Sequence, residues 1–292
     1  MKRIDAHHHV WDLAIRPQTW MDDAGDAYAL LHRSFLIDEY VAVATAAGVG
    51  AGVVVQTVGD EAETAELLSM STTQPLVAGV IGWVDLRKRD VADRITRFRD
   101  GVGGHRLCGL RHQVHDELDV GWITRKDVRR GIEAVGAHGL AYDLLLKPTH
   151  LAPALSTVDA LPNVRFVVDH LGKPPVASGE LEPWASGIRA LAARPNTWCK
   201  LSGLLHEARW SGWTVDDLRP YVRLVVEVFG PRRMMSGSDW PVCTLSASYG
   251  ETLLAHDAAL PTLSADELRA IHVTTAAAVY DLAIDTSTVG CQ

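Results

Sequence analysis

Short apolar runs alternate along the chain with longer segments of helical periodicity. Eight of the runs are rich in Val, Leu and Ile without strict apolar–polar alternation, which is typical of parallel strands covered on both faces. These predicted strands are Arg3–His7, Gly52–Thr57, Leu76–Ile81, Leu107–Arg111, Ala141–Leu146, Val164–Asp169, Thr197–Leu201 and Arg233–Ser236. The intervening segments predict helices at Asp60–Met70, Asp90–Phe98, Arg125–His138 (with Gly139 as its C-cap) and Asp216–Phe229. The last segment, Ser264–Leu282, predicts helices packed on the outside.

Strand followed by helix, repeated eight times, predicts an α/β fold of the (β/α)8 TIM-barrel type. We expect a single domain over residues 1–292, with C-terminal helices. The structural competitor is a doubly wound open sheet. Residues 48–52 are glycine-rich but precede their strand, whereas a dinucleotide fingerprint follows one, so we reject nucleotide binding there.

Charge and composition exclude several classes of function. The formal net charge is −8 and is spread without a basic stripe, so we expect no nucleic-acid partner. The sequence contains no run of 18 apolar residues, so we expect no membrane span. The basic N-terminus lacks the apolar stretch of a signal peptide. The four cysteines, Cys108, Cys199, Cys243 and Cys291, form no CxxC pair, which favours buried reduced thiols in a cytoplasmic protein.

The polar residues that carry chemistry stand where predicted strands end. In a barrel of this type the active site lies at the carboxyl ends of the strands. His7 and His9 end the first strand and, being two apart, can face the barrel mouth together while His8 faces the surrounding layer. His170 follows the sixth strand, and Asp239 follows the eighth. Any one of them alone has an ordinary structural explanation; their joint placement at strand ends indicates a site.

This set of residues allows two kinds of chemistry. Three imidazoles and a carboxylate can hold one divalent metal ion, most suitably zinc, with an open position that activates water. Without metal, the carboxylate can take the proton from water while nearby cations stabilise the oxyanion. The sequence leaves both alternatives open.

Further polar residues follow the fourth, fifth and sixth strands. Arg111 and His112 end the fourth strand, and either can contact substrate, although Arg111 could instead form a structural ion pair. Lys147 and Lys173 follow the fifth and sixth strands, with a structural role slightly favoured for each. Three other histidines are interpreted as structural: His115, His206 and His256.

Six stretches of the chain resemble a known family. They are IDAHHHVWD, GLRHQV, YDLLLKP, VVDHLGKPP, WCKLSGL and SGSDWPVC. Together they are similar to the amidohydrolase-2 group of the amidohydrolase superfamily, and within it to the branch of sugar lactonases that includes L-fuconolactone and L-rhamnonolactone hydrolases. The resemblance runs from Ile4 to about Leu282.

The resemblance implies a role for each matched residue. The metal-binding positions of the family fall on His7, His9, His170 and Asp239, with Asp239 also the usual water-activating base. It implies further that Arg111 polarises or anchors the lactone, and that Trp11 and Trp240 line the pocket. With His170 and Arg111 as catalytic partners of Asp239, we expect His112 and Lys147 to join Trp11 and Trp240 in binding substrate.

The chain departs from the family pattern at several positions. Many members hold two metals through a strand-four lysine or glutamate or a strand-five histidine, but here those strands end in Arg111 and Lys147. We therefore expect one metal ion or none. Ser236 stands where phenylalanine is common, and Thr275 stands where the family often has asparagine.

The predicted function is hydrolysis of a sugar-derived lactone, with Asp239 as general base. The rival hypotheses are a metal-dependent decarboxylase of the same superfamily, a C–N amidohydrolase, and a barrel that only binds carbohydrate. No G-x-S-x-G elbow is present, which disfavours a serine hydrolase. The identity of the lactone and the oligomeric state are left open.

Overall fold

The computed structural model describes residues 2–284, which contain an eight-stranded parallel sheet. Each strand pairs with the next in chain order, so the strands follow one another through the sheet from β1 to β8. The strands are β1 Arg3–His8, β2 Val49–Val55, β3 Val77–Gly82, β4 Leu107–His112, β5 Ala141–Leu144, β6 Arg165–Val168, β7 Thr197–Leu201 and β8 Met234–Ser236. All eight predicted strands are confirmed, with ends that differ by a few residues.

The segments that follow β1 and β8 bring the two edges of the sheet together. His8 forms a parallel bridge with Trp240. The backbone N–H of Asp239 donates to the carbonyl oxygen of His7 at 2.8 Å, and the N–H of His9 donates to that of Trp240 at 2.6 Å. The sheet is therefore a nearly closed barrel, as the alternation of strands and helices predicted.

Helices surround the barrel. They are α1 Ile37–Ala46, α2 Glu61–Ser71, α3 Val91–Asp100, α4 Lys126–Ala137, α5 Leu151–Ala160, α6 Trp184–Ala192, α7 Leu204–Glu207, α8 Val215–Phe229, α9 Tyr249–Ala259, α10 Ala265–Arg269 and α11 Thr275–Val279. The four helices predicted between strands correspond to α2, α3, α4 and α8. Asp60 accepts a hydrogen bond from Ala62 at the start of α2, and Gly139 (φ +72°) follows α4 in the left-handed region that favours glycine.

Two apolar layers explain why the strands lack strict alternation. In β2, Val54 packs in the layer between sheet and helices, whereas Val53 and Val55 belong to a second buried cluster inside the barrel. Both faces of the strand are thus withdrawn from water, which favours an unbroken valine run.

The C-terminal segment differs from its predicted position. Val273, Ala276 and Tyr280 pack with the inward-facing side chains of the strands, Ile4 and Met235 among them, rather than only against the outside of the barrel. The segment therefore covers one end of the barrel, where apolar interior side chains would otherwise meet water. At the other end, a 3₁₀-helical segment, Thr19–Leu31, lies beside the mouth.

Two expectations from composition can be compared with the structure. Among residues 2–284, no helix has the length and apolar character needed to cross a membrane. Cys108, Cys199 and Cys243 are buried and free of disulfide bonds, while Cys291 lies outside the described residues.

Candidate active site

The four residues predicted to form the reaction centre converge at the barrel mouth. The Nε2 atoms of His7 and His9 are 3.1 Å apart. Asp239 Oδ1 lies 3.4 Å from His9 Nε2, 3.7 Å from His7 Nε2 and 3.9 Å from His170 Nε2. All four residues are buried. One carboxylate oxygen therefore faces three imidazole nitrogens that come from β1 and from the end of β6.

The backbone at the end of β1 explains why His7 and His9 face the mouth and His8 does not. A register shift between Asp5 and His8 interrupts the pairing with β2. The ring of His8 then stacks on Tyr40 of α1, 3.5 Å between centroids, as expected for the outward position. His9 is fixed by a hydrogen bond of 2.7 Å between its Nδ1 and the carbonyl oxygen of Val55, so its Nε2 carries the lone pair that faces the site.

His170 and Asp239 both adopt the left-handed backbone conformation, with φ of +53° and +59°. Non-glycine residues rarely do so, and such strain clusters at functional sites. His170 Nδ1 lies 3.0 Å from Ser202 Oγ just after β7. Gly203 follows with φ +62°, and a Cβ there would collide with the His170 ring. The Ser202-Gly203 pair of the LSG motif thus shapes the space behind His170.

A buried ladder of charges runs beneath the site inside the barrel. Arg111 Nη1 of β4 donates to Asp169 Oδ2 at 3.1 Å. Asp169 Oδ1 lies 3.0 Å from Lys200 Nζ of β7, which donates in turn to Asp143 Oδ2 of β5 at 2.5 Å. The hydroxyl of Tyr280, from the C-terminal segment, donates to Asp143 at 2.9 Å. Each buried charge is therefore paired, as a low-dielectric interior requires.

The ladder contacts His7 from two sides. Lys200 Nζ lies 3.2 Å from His7 Nδ1, and Arg111 Nη1 lies 3.3 Å from His7 Nε2. A second hydrogen bond ties Arg111 Nη2 to the carbonyl oxygen of Gln56. His7 is thus held by groups from β4 and β7, and the orientation of its ring does not depend on the loops of the mouth.

A cavity of about 560 Å³ opens above these residues. The polar and aromatic residues that line it are His9, Thr19, Trp20, Tyr28, Thr57, Arg111, Gln113, His115, Asp116, Lys147, His170, Lys173, His206, Glu207 and Asp239. Its size suits a small-molecule ligand, with the converging polar groups at one end.

Of the residues predicted to bind substrate, some line the cavity and others lie behind its wall. Lys147 lines the cavity. Trp11 is buried behind it, donating from Nε1 to the carbonyl oxygen of Arg33 at 2.7 Å and packing edge-on against Trp20, which does line the cavity. Trp240 is also buried, and packs against Phe35. Trp11 and Trp240 therefore contribute to the support of the wall.

His112 is held by three neighbours outside the cavity lining. Its ring stacks on Trp122 with 4.0 Å between centroids. Its Nδ1 accepts a hydrogen bond of 3.0 Å from Trp83 Nε1, and its Nε2 donates to Glu117 at 2.7 Å. This arrangement fixes the loop after β4, which carries His115 and Asp116 into the cavity wall. His115 and His206, both expected to be structural, line the cavity.

Ser236 and Thr275, the two departures from the family pattern, lie away from the cavity lining. Ser236 is buried at the end of β8. Thr275 donates from Oγ1 to the carbonyl oxygen of Arg232 at 3.2 Å, which joins α11 to the segment before β8. Thr275 therefore connects two structural elements in this chain.

The surroundings of His170 and Asp239 shift the pKa values of both side chains. Burial lowers the pKa of His170 to about 4. Burial alone would raise the pKa of Asp239, but the imidazoles of His170, His9 and His7 outweigh it and hold that pKa below its ordinary value. At pH 7 Asp239 is therefore ionised and His170 is neutral.

The donor set at the mouth fits one divalent metal ion. His7 Nε2, His9 Nε2 and an Asp239 oxygen lie close enough together to share one ion. The hydrogen bond of His9 Nδ1 to Val55 is the kind of outer contact that orients a metal-bound histidine. Two imidazoles and a carboxylate are ligands that zinc accepts. Both a donor, Lys200 Nζ at 3.2 Å, and an acceptor, Asp169 Oδ1 at 3.5 Å, face His7 Nδ1, so the surroundings accommodate either tautomer of that ring.

Comparison with known proteins identifies the family to which the chain belongs. The family model for amidohydrolases matches residues 4–282, nearly the whole chain. The protein belongs to the amidohydrolase family. Two proteins named L-fucono-1,5-lactonase are similar to this amidohydrolase. That of Burkholderia ambifaria is 40% identical over 252 residues, covering 85% of this chain and 83% of its own. That of Burkholderia multivorans is 37% identical over 292 residues, covering 96% of both chains.

A solved structure agrees with the fold of this amidohydrolase. The crystal structure of an amidohydrolase from Burkholderia multivorans with bound zinc has a TM-score of 0.88 and 36% sequence identity. The match covers 97% of this chain and 100% of that one. The resemblance read from the six sequence stretches is thereby confirmed.

Proposed function

We propose that this amidohydrolase is a lactonase that adds water to a sugar-derived lactone and releases the open hydroxy acid. The observation that carries the proposal is the placement of the ionised Asp239 carboxylate within 4 Å of three imidazole nitrogens, at one end of a cavity of small-molecule size. Similarity along nearly the whole chain to L-fucono-1,5-lactonases supports the choice of a lactone.

In the proposed reaction Asp239 acts first as a general base. It takes a proton from a water molecule whose oxygen forms a bond to the lactone carbonyl carbon. The carbonyl oxygen becomes an oxyanion, which Arg111 and His170 stabilise from the cavity wall. Positioned proton transfer of this kind contributes roughly 10²–10⁴ in rate.

Asp239 then acts as a general acid. The tetrahedral intermediate breaks the bond between the carbonyl carbon and the ring oxygen, and Asp239 returns its proton to that oxygen as it leaves. One water is consumed, and one carboxyl and one hydroxyl group are formed. The two roles require Asp239 to be ionised at the start of each turnover, which its lowered pKa provides.

A single divalent ion would be held by His7, His9 and Asp239. When bound, it would lower the pKa of a water molecule and polarise the carbonyl group. The residues of the chain would keep the same tasks in either case: Asp239 takes and returns the proton, and Arg111 binds the carbonyl side of the substrate.

The proposal is tested by a panel of aldonolactones, assayed on protein treated with a chelator and on protein supplied with zinc. We expect hydrolysis of at least one aldono-1,5-lactone or 1,4-lactone above the spontaneous rate. Equal rates in the two arms would indicate chemistry without metal, and activity confined to the zinc arm would indicate a required ion. Turnover of an acidic aromatic by loss of CO₂, with no lactone hydrolysed, would contradict the proposal in favour of the decarboxylase.

A further inference from the structure

An ion pair in the cavity wall is not used by the proposed reaction. Lys173 Nζ donates to Glu207 Oε1 at 2.7 Å. The two side chains are only 14% and 20% exposed, and both line the cavity that contains Asp239. Lys173 follows β6 and Glu207 ends α7, so the pair joins two separate loops of the mouth.

The segment that carries Lys173 to the cavity has an unusual backbone conformation. His170, Leu171 and Lys173 all have φ between +53° and +54°. Non-glycine residues rarely adopt left-handed geometry, and it persists where the surroundings impose it. This turn brings two side chains of the same short segment, His170 and Lys173, to the lining of one cavity.

Each partner of the pair has hydrogen-bonding capacity left over. An ammonium group has three N–H donors and a carboxylate has two accepting oxygens. Within the described part of the chain, one donor of Lys173 and one oxygen of Glu207 are used, and they are used on each other. Beside them, the Tyr28 hydroxyl and His206 Nε2 are 3.1 Å apart. This wall therefore offers donors and acceptors next to one another.

The charges around the cavity balance. Among the described residues that line it, Arg111, Lys147 and Lys173 are cations. Arg111 is paired with Asp169, and Lys173 with Glu207. Lys147 lies 4.0 Å from Asp116 and is half exposed. Every buried cation among these described residues is already paired with a protein carboxylate, so none of them is left to bind the carboxylate of a substrate. Hydroxyl groups, in contrast, can use a donor and an acceptor together.

We propose that Lys173 and Glu207 act together as a specificity-determining pair, which binds neighbouring hydroxyl groups of a neutral polyhydroxylated lactone. Glu207 accepts from the hydroxyl hydrogens and Lys173 donates to the hydroxyl oxygens. The inference rests on the proposed lactonase function. It adds a substrate preference: hydroxylated lactones are selected over lactones that lack hydroxyls and over lactones that carry a carboxylate.

The test compares the double variant Lys173→Met/Glu207→Gln with the wild type on three six-membered lactones. These are the aldono-1,5-lactone that the wild type hydrolyses best, δ-valerolactone and the δ-lactone of 2-hydroxyadipic acid. Removing both charges avoids leaving either one buried alone. We expect kcat/KM on the aldonolactone to fall roughly 10- to 100-fold, mainly through KM, because hydrogen bonds to charged groups are lost. On δ-valerolactone we expect a change below about twofold, since that substrate has nothing for the pair to bind.

Asp159→Asn is the matched control, because Asp159 forms an ion pair of 2.8 Å with Arg194 outside the cavity lining. It should leave all three rates unchanged. Equal losses of the double variant on aldonolactone and δ-valerolactone would show a purely structural pair and overturn the inference. A wild-type preference for the carboxylated lactone would overturn it too. If the wild type hydrolysed no lactone, the proposed function itself would be wrong, and this inference with it.

Discussion

Asp5 binds Ser238 through both of its carboxylate oxygens. The backbone N–H of Ser238 donates to Asp5 Oδ1 at 2.8 Å, and its hydroxyl donates to Oδ2 at 2.7 Å. The hydroxyl of Tyr249 donates to the same Oδ2 at 2.9 Å. Ser238 directly precedes Asp239, whose backbone is left-handed. Asp5 therefore fixes the position of the proposed base from behind, although it does not contact the cavity.

Asp5→Asn should lower kcat more than it changes KM. The amide keeps one accepting oxygen and replaces the other with an NH2 donor, so one of the two hydrogen bonds from Ser238 is lost and the segment that carries Asp239 should shift. Misplacement of a reacting group by about 1 Å can cost roughly 100-fold in rate. Steady-state kinetics on the best lactone measures the effect. Tyr249→Phe removes one donor without reversing any bond and serves as the milder control; wild-type kcat in Asp5→Asn would contradict this role.

Lys200→Met should destabilise the protein. Lys200 is fully buried between Asp143 and Asp169, and its loss leaves the buried Asp143 without a cation and Asp169 with Arg111 as its cation. Breaking a buried ion pair by removing one partner costs roughly 3–5 kcal/mol in the free energy of unfolding. Urea unfolding measures it. The double variant Lys200→Met/Asp143→Asn restores part of the balance and should recover part of that free energy. An unchanged unfolding midpoint in Lys200→Met would show that the ladder does not stabilise the fold.

The sequence predicts that His7, His9, His170 and Asp239 converge at the mouth, because topology determines where strand ends meet. Once β1, β6 and β8 are placed in a parallel barrel, residues after their carboxyl ends must converge at one mouth. The HxH spacing adds the direction of His7 and His9 relative to His8. None of these steps requires knowledge of a loop conformation, and the distances among the four residues agree with all of them.

The cavity wall could not be predicted in the same way. Trp11 and Trp240 lie behind the wall while Trp20 and Tyr28 line it, because the irregular segment Thr19–Leu31 sets their positions. The partners of Lys200 come from strands distant in sequence. The burial of Lys200 therefore depends on ion pairs with residues of other strands. A single lysine within a strand sequence does not indicate such partners. Lys173 lines the cavity because His170, Leu171 and Lys173 itself adopt the left-handed conformation, which the pattern of apolar residues does not predict.

Stability should fall as the pH falls from about 6.5 to about 4. Burial lowers the pKa of His170 and of His256 to about 4 in the folded protein, whereas an unfolded histidine titrates near 6.5. Between these values the unfolded state binds more protons, so acid favours unfolding. Each residue can contribute at most about 3.5 kcal/mol to the free energy of unfolding, since one pKa unit corresponds to about 1.4 kcal/mol.

Thermal unfolding midpoints between pH 7.5 and pH 4.5 check this expectation. His256 lies outside the cavity lining, so His256→Leu should flatten the pH dependence without altering turnover. A midpoint that stays constant through this range in the wild type would show that the buried histidines do not limit acid stability. Activity should fall over the same acidic range, because a proton on His170 disturbs the contacts of Asp239.

The turnover number of Asp239→Asn on the best lactone tests the central claim most directly. The substitution keeps the size of the side chain but removes its ability to take a proton from water. We predict a loss of roughly 10²–10⁴ in kcat, with a thermal unfolding midpoint close to that of the wild type. Near wild-type turnover by a correctly folded Asp239→Asn protein would contradict the assignment of Asp239 as the base.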